Sequence, residues 1–307
     1  MYRFQLEITR NCNMNCPYCD IVDNSVNDYD VSFWKHVIDL ISELGDIYYI
    51  ITGGEPTTRE DIIELLEYTQ SKGYCELYTN ASLHKNEFLN IINSVDLIKI
   101  SLDGATFNQY SKTRSGEYFE SVVENIKQSI KHKVVTSVQM TINESNFCYL
   151  DDVIQLLHSI GVEKIYLSPV ISSSLKDEEI NKILKLKNTI SEYRDKYSSV
   201  IMSCNIGYQY PGYAHVPGAV CGVYVNRFYV TYDGYIVGCP LYNKKDDSIV
   251  RIDSNTKSVI KDISQSINEF KLHMKRSQCR HCSNVDLCGG WCPAARGGLL
   301  KKCKSYS

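Results

Sequence analysis

Apolar, β-branched and aromatic residues gather into six short runs within the first 170 positions: Tyr2–Thr9, Ile47–Thr52, Tyr74–Thr79, Leu97–Leu102, Val134–Ile142 and Lys164–Val170. Between them lie stretches that place an apolar residue at every third or fourth position. In Ser32–Leu44 the residues Trp34, Val37, Ile38 and Ile41 share one face, and Asp61–Lys72, Tyr118–Lys131 and Leu150–Ile160 repeat the pattern. Short β-branched runs predict strands and the longer periodic stretches predict helices. Strands that alternate with helices imply a parallel sheet with right-handed crossovers. Such sheets gather ligands at the C-terminal ends of their strands, so the residues just after each run are the first place to look for chemistry.

The pattern then changes. Lys176–Tyr197 reads as one more long, charged helix, and residues 203–221 interleave Gly207, Pro211, Gly212, Pro217 and Gly218 with tyrosines. Glycine and proline at that density mark a boundary and an irregular segment. Val225–Tyr232 and Tyr235–Val237 flank Asp233-Gly234, a hairpin signal. A final helix is expected around Val259–Lys275. The reading divides the chain into residues 1–200 and 201–307, with no internal repeat, low-complexity tract or appended N-terminal domain.

Composition narrows the class. Of 307 residues, 43% are hydrophobic and 22% charged, with a formal net charge of −3, so neither a nucleic-acid nor a membrane surface is expected. No apolar run approaches the roughly 20 residues that span a bilayer, and the N-terminus lacks the apolar core of a secretory signal. A cytoplasmic location is the expectation. Thirteen cysteines then need an explanation other than disulfides, which a reducing compartment disfavours. Three fall within residues 12–19 and seven after residue 220, while Cys75, Cys148 and Cys204 are scattered.

The first predicted strand runs into Cys12-Asn13-Met14-Asn15-Cys16-Pro17-Tyr18-Cys19. Three thiolates on one loop can hold three irons of a cubane, leaving the fourth iron open, since iron–sulfur clusters otherwise take four thiolates. A zinc ion is the competing occupant, but zinc prefers four ligands and no fourth Cys or His lies nearby. This spacing, with an aromatic residue before its last cysteine, resembles the signature of radical S-adenosylmethionine (SAM) enzymes. The resemblance implies a partial (β/α)6 barrel whose [4Fe-4S] cluster chelates SAM through the open iron. Reductive cleavage of SAM then yields methionine and a 5′-deoxyadenosyl radical that abstracts a substrate hydrogen, with a flavodoxin- or ferredoxin-type protein as reductant.

The resemblance extends to the later strand ends. It sets Tyr18 against the adenine and Gly53, Gly54, Glu55 and Pro56 at the methionyl amine, the glycines letting backbone approach the ligand. Asn80 and Ser101, in Thr79-Asn80 and Ser101-Leu102-Asp103-Gly104, would line the SAM and substrate pocket, Ser101 near the ribose. Arg114 matches an arginine that meets the SAM carboxylate, although an exposed surface arginine fits as well. Gln139, Asn143 and Leu167 are positional candidates for ribose and adenine contacts.

The remaining cysteines read Cys221-x12-Gly234-x4-Cys239, then Cys279-x2-Cys282-x5-Cys288-x3-Cys292, then Cys303. This resembles the SPASM module of peptide-modifying radical SAM enzymes, a zinc ribbon being the competing reading. The resemblance implies two auxiliary [4Fe-4S] clusters, three in all. Cys279, Cys282, Cys288 and Cys303 would hold the outer one; Cys221, Cys239 and Cys292 would hold the inner one, with Cys204 the candidate fourth ligand.

Enzymes of this kind act mostly on peptides, so the expected activity is maturation of a ribosomally made peptide by cross-linking, epimerisation or oxidation. The substrate is a peptide or small protein, presented with or without a separate leader-recognition protein. An anaerobic sulfatase-maturing (formylglycine-forming) enzyme is the alternative. Those enzymes place an acidic base directly after the second inner-cluster cysteine, where this chain has Pro240. A radical dehydrogenase acting on a small molecule is a third reading, opposed by the number of C-terminal cysteines. A non-enzymatic electron carrier would not need the strand-end motifs.

Overall fold

The computed structural model describes residues 1–170, 200–202, 225–240 and 248–276. Six strands follow the expected runs: β1 (Tyr2–Glu7), β2 (Ile47–Thr52), β3 (Tyr74–Thr79), β4 (Leu97–Ser101), β5 (Val135–Ile142) and β6 (Lys164–Pro169). Each pairs in parallel with the next in chain order. β7 (Val200–Met202) extends the sheet in parallel beyond β6. On the other side, β8 (Arg227–Val230) pairs in parallel with β1, and β9 (Tyr235–Val237) and β10 (Val250–Arg251) continue antiparallel. The described strands thus form one ten-stranded sheet, β10-β9-β8-β1-β2-β3-β4-β5-β6-β7.

The connections are α1 (Val31–Ser42), α2 (Ile62–Lys72), α3 (Lys85–Ile92), the single turn α4 (Phe107–Tyr110), α5 (Phe119–Lys131) and α6 (Leu150–Ile160). A last helix, α7 (Ile260–Arg276), follows β10. α1 starts at Val31 because Asp30 accepts a hydrogen bond from the Phe33 amide at 2.9 Å, an N-cap. α3 and α4 are additions to the expected elements, too short for periodicity to announce. The expected helix at 176–197 and the irregular segment at 203–221 lie outside the described residues. Among the described residues, no helix is long and apolar enough to cross a membrane.

The two faces of the sheet differ in chemistry. One carries Phe4, Leu6, Ile51, Leu77, Ile98, Ile100, Val138, Met140, Ile165 and Leu167, all buried in one core with Trp34, Ile38, Leu65, Phe88, Ile126 and Leu157 of the helices. Strand side chains alternate between faces, so the other face presents Arg3, Gln5 and Glu7, then Glu76 and Tyr78, Lys99 and Ser101, Ser137 and Gln139, and Tyr166 and Ser168. The helices therefore cover the apolar face, and the opposite face is mostly polar.

The Asp233-Gly234 hairpin forms where expected: the Gly234 amide donates to Thr231 O at 2.9 Å. Gly234 has φ +85°, and a Cβ there would stand 2.7 Å from Ile252 O, so both backbone and space require glycine.

Candidate active site

The cysteine loop leaves the C-terminal end of β1 and is fastened at both rims. At its start, Thr9 Oγ1 and Asn11 Nδ2 donate to Asp28 Oδ2 at 2.7 and 3.1 Å. Arg59 is buried beneath, donating to Ile8 O and Tyr29 O at 3.0 Å each and pairing with Asp61 at 2.7 Å. These contacts close the long excursion between β1 and α1 over the apolar layer. Within the loop, the Cys12 amide donates to Asn24 Oδ1 at 2.9 Å and the Met14 amide reaches Cys12 Sγ at 3.4 Å.

Cys12, Cys16 and Cys19 are half-buried free thiols. Burial pushes the Cys12 thiol up to about 11 and the Cys16 thiol upward too, so binding iron must displace their protons. Among the described residues, no three His, Cys, Asp or Glu side chains converge as the ligands of one metal ion would.

The segment after β2 serves as the loop's seat. The Gly54 amide donates to Thr9 O at 2.9 Å and the Glu55 amide to Asn11 O at 2.8 Å. A Cβ on Gly53 would stand 2.3 Å from Thr9 O, and one on Gly54 2.3 Å from Asn11 O. The clearance expected for a ligand is thus taken first by the cysteine loop's own backbone. Glu55 is fully buried, and burial raises its carboxyl's pKa. Its oxygens accept from Thr57 Oγ1 at 2.7 Å, Thr79 Oγ1 at 2.7 Å and the Asn80 amide at 2.6 Å, which ties the end of β2 to the end of β3. Pro56 opens the short turn that follows. Asn80 Nδ2 in turn donates to Asn13 Oδ1 at 2.9 Å, so the strand end grips the cysteine loop directly.

Asp103, fully buried two residues beyond β4, is the anchor on the opposite rim. It accepts from Tyr18 Oη at 2.5 Å, from Arg114 Nε at 2.7 Å and from the Thr141 amide at 2.8 Å. The Arg114 guanidinium also lies 5.9 Å from the Tyr18 ring centroid. Burial works against the Arg114 charge, but the groups around it, Asp103 foremost, together outweigh that cost and hold the guanidinium protonated. Arg114 is therefore not an exposed surface arginine.

Of the other candidates, Ser101 and Gln139 stand opposite one another in register, both half-exposed. Asn143 accepts from the Ser145 amide at 2.8 Å in a local turn. The Leu167 side chain is wholly in the helix-facing core, so only its backbone is available to a ligand. Cys239 is half-buried just after β9. Cys204, Cys221, Cys279, Cys282, Cys288, Cys292 and Cys303 lie outside the described residues.

Sequence reasoning passed over Asp28, Arg59, and a latch between β1 and the hairpin. In that latch Arg10 pairs with Glu7 at 2.9 Å and covers the Tyr232 ring at 4.1 Å, while the Tyr232 amide donates to Glu7 at 3.2 Å. It also passed over the polar face of the sheet, whose signal was the alternation of polar and apolar residues in Arg3-Phe4-Gln5-Leu6-Glu7.

Residues 6–157 match the Radical SAM superfamily, and this part of the chain is a radical SAM domain. The chain is 26% identical over 172 residues to PqqA peptide cyclase of Bradyrhizobium diazoefficiens, a match covering 54% of this chain and 45% of that enzyme. It is 27% identical over 205 residues to a probable GTP 3′,8-cyclase of Saccharolobus islandicus, covering 63% and 65% of the two chains. The chain thus spans between about half and two thirds of the length of these relatives. Among solved structures, SuiB of Streptococcus suis bound to its precursor peptide SuiA superposes with a TM-score of 0.72 at 13% identity, covering 98% of this chain and 73% of that one. The enzyme anSMEcpe with AdoMet and the Cp18Cys peptide superposes at 0.71 with 19% identity, covering 99% and 94%. At such identities the likeness speaks for the fold, an α/β radical SAM fold with a parallel sheet.

Proposed function

We propose that this radical SAM enzyme modifies a peptide, most specifically as the maturase of a ribosomally made precursor. The carrying observation is the cysteine loop seated at the C-terminal end of the parallel sheet, where the strand ends bring Asp103, Arg114, Glu55 and Asn80 around it. Two of the similar structures hold peptides, and one sequence relative is a peptide cyclase, which supports this substrate class.

In this reading Cys12, Cys16 and Cys19 hold a [4Fe-4S] cluster, and Gly53-Gly54-Glu55-Pro56, Asn80, Ser101, Gln139, Asn143, the Leu167 backbone and Arg114 border the SAM. With both bound and an electron delivered by a flavodoxin or ferredoxin, they supply the radical chemistry that removes one hydrogen atom from a substrate carbon. This chain's residues do the positioning. Asp103 fixes Tyr18 and Arg114 together, which leaves the guanidinium's terminal N–H groups for a carboxylate. Glu55 and Asn80 keep the cysteine loop in place against β2 and β3. Cys239, with the cysteines at 204, 221, 279, 282, 288, 292 and 303, is assigned to two further clusters in a SPASM module.

The reconstituted chain should hold about 12 iron and 12 sulfide, the sum of three cubanes. Under strong reductant it should release 5′-deoxyadenosine from SAM, and replacing Cys12, Cys16 and Cys19 by Ala should abolish that release while leaving the auxiliary iron. Anaerobic reaction with a short peptide encoded beside the gene should give a mass shift. Stoichiometric zinc in anaerobically purified protein would defeat the assignment. Sulfatase maturation is the second reading, since anSMEcpe aligns along nearly its whole length. With the exposed Pro240 following Cys239 in place of an acidic base, a sulfatase peptide bearing the Cys/Ser target should remain unconverted to aldehyde.

A further inference from the structure

The three-cysteine loop has a neck, and the neck is held by residues far along the chain. The carbonyls of Thr9, Arg10 and Asn11 are all engaged. Thr9 O and Asn11 O accept from the Gly54 and Glu55 amides, while Arg10 O accepts from the Asp23 amide at 3.0 Å. That last bond brings the two ends of residues 11–22 together, and Cys12, Cys16 and Cys19 lie between them. The position of Arg10 thus sets where the loop begins and where it returns. Its side chain is fixed in two directions: Nε pairs with Glu7 at 2.9 Å, and the guanidinium carbon stands 4.1 Å from the Tyr232 ring centroid. Glu7 also accepts from the Tyr232 amide at 3.2 Å, so arginine, carboxylate and hairpin close a ring of contacts. Glu7 is 1% exposed, and the buried Tyr229 lies beside it. Burial and then the Glu7 carboxylate hold the Tyr229 phenol well above its usual range. Both tyrosines lie beyond the segment, 6–157, that matches the Radical SAM superfamily.

Two simpler roles fall short of this arrangement. A buried carboxylate needs a partner, but a lysine would neutralise Glu7 without presenting a plane to the Tyr232 ring. Fastening the hairpin to the sheet does not require Arg10 either, since β8 already pairs with β1 from Arg3 to Leu6. What Arg10 adds is a link between the hairpin and the one residue whose carbonyl closes the cysteine loop. We propose that Arg10 is a positioning residue for SAM binding. Clamped between Glu7 and Tyr232, it fixes the neck of the loop and so holds Cys12, Cys16 and Cys19 against the strand ends that border the SAM. The inference rests on the assignment of those thiols to the SAM-binding cluster and is independent of the peptide reading.

The test uses the full chain in two states. In the metal-free chain, amide hydrogen exchange read by mass spectrometry should quicken about fivefold over residues 11–23 in Tyr232→Ala, the weight of one half-buried cation–π contact. Exchange in β2, β3 and β4 should stay as in wild type. In the reconstituted chain, anaerobic titration with SAM, followed by the electron paramagnetic resonance of the reduced cluster, should show about fivefold weaker binding at equal iron content. Tyr232→Phe, which keeps the ring, should match wild type in both measurements. Arg10→Met should reproduce Tyr232→Ala, and the double variant should add nothing, because the two residues act as one unit. Unchanged exchange over residues 11–23, or quickening spread through the whole sheet, would overturn the inference. So would faster loop exchange with SAM affinity unchanged, which would leave the clamp a structural fastening only. A wild-type chain whose reduced cluster does not respond to SAM would instead sink the assignment of the three thiols.

Discussion

Asp103 shows how one buried carboxylate organises a site built from three distant segments. It joins Tyr18 of the cysteine loop, Arg114 beyond α4 and the Thr141 amide of β5. Asp103→Ala leaves the Arg114 guanidinium buried without its partner, and breaking a buried pair in this way costs roughly 3–5 kcal/mol. Urea denaturation should show a loss of that size, and Asp103→Asn should lose less because it still accepts a hydrogen bond. Gly54→Ala tests the seat: the new Cβ would fall 2.3 Å from Asn11 O, so the cysteine loop must move. Its iron content should drop while the far-ultraviolet dichroism stays close to wild type; full iron loading would refute the seating role. The three thiols were legible from spacing alone, as the loop's register is local. The partners of Tyr18 and Arg114 were not, because they depend on which strand ends the fold brings side by side. The reading of the glycines was incomplete for the same reason: their neighbour is a segment more than forty residues away.

At the level of elements, helix starts and strand ends are set by local groups whose ionisation can be followed. Asp30 caps α1, and its hydrogen bonds from Ser32 and Phe33 hold its carboxyl below the usual range. A carboxylate with a depressed native pKa stabilises the fold above its unfolded pKa of about 3.9, and that contribution disappears as the pH falls through the lower native value. Asp30→Ala should therefore melt earlier than wild type at pH 7, with the gap closing below about pH 3.9; a gap independent of pH would show that the cap acts without its charge. Asp30→Asn should keep most of the cap. The long elements were readable from periodicity, since α1, α5 and α6 each bury a continuous stripe. α3, eight residues long, carries only Phe88, Ile91 and Ile92 inward, too few to announce a period. β1 ends at Glu7 rather than Thr9, since Thr9 has turned its hydroxyl to Asp28 to begin the cysteine loop.

Across the whole molecule, packing continues past the boundary that composition marks near residue 200. β8 lies along β1, Phe228 stacks on Phe4 with ring centroids 5.1 Å apart, and Val230, Ile236, Ile252, Val259, Ile263 and Ile267 belong to the same core as the helices. Sequence alone placed the hairpin correctly but could not tell which edge it would join, because a parallel partner 224 residues upstream (Arg3 beside Arg227) leaves no local trace. Two consequences follow from the shared core. Phe228→Ala should cost about 3–5 kcal/mol in the full chain, as large-to-small changes in a closed core do. A chain ending at Met202 should fail to fold by itself: it exposes the outer edge of β1, an unpaired strand prone to association, and uncovers the apolar side chains that β8 and α7 bury. Size-exclusion chromatography should find it aggregated, with strong binding of a hydrophobic dye. A monomeric fragment melting cooperatively within a few degrees of the full chain would show instead that the segment from β8 to α7 merely decorates a barrel that is stable without it.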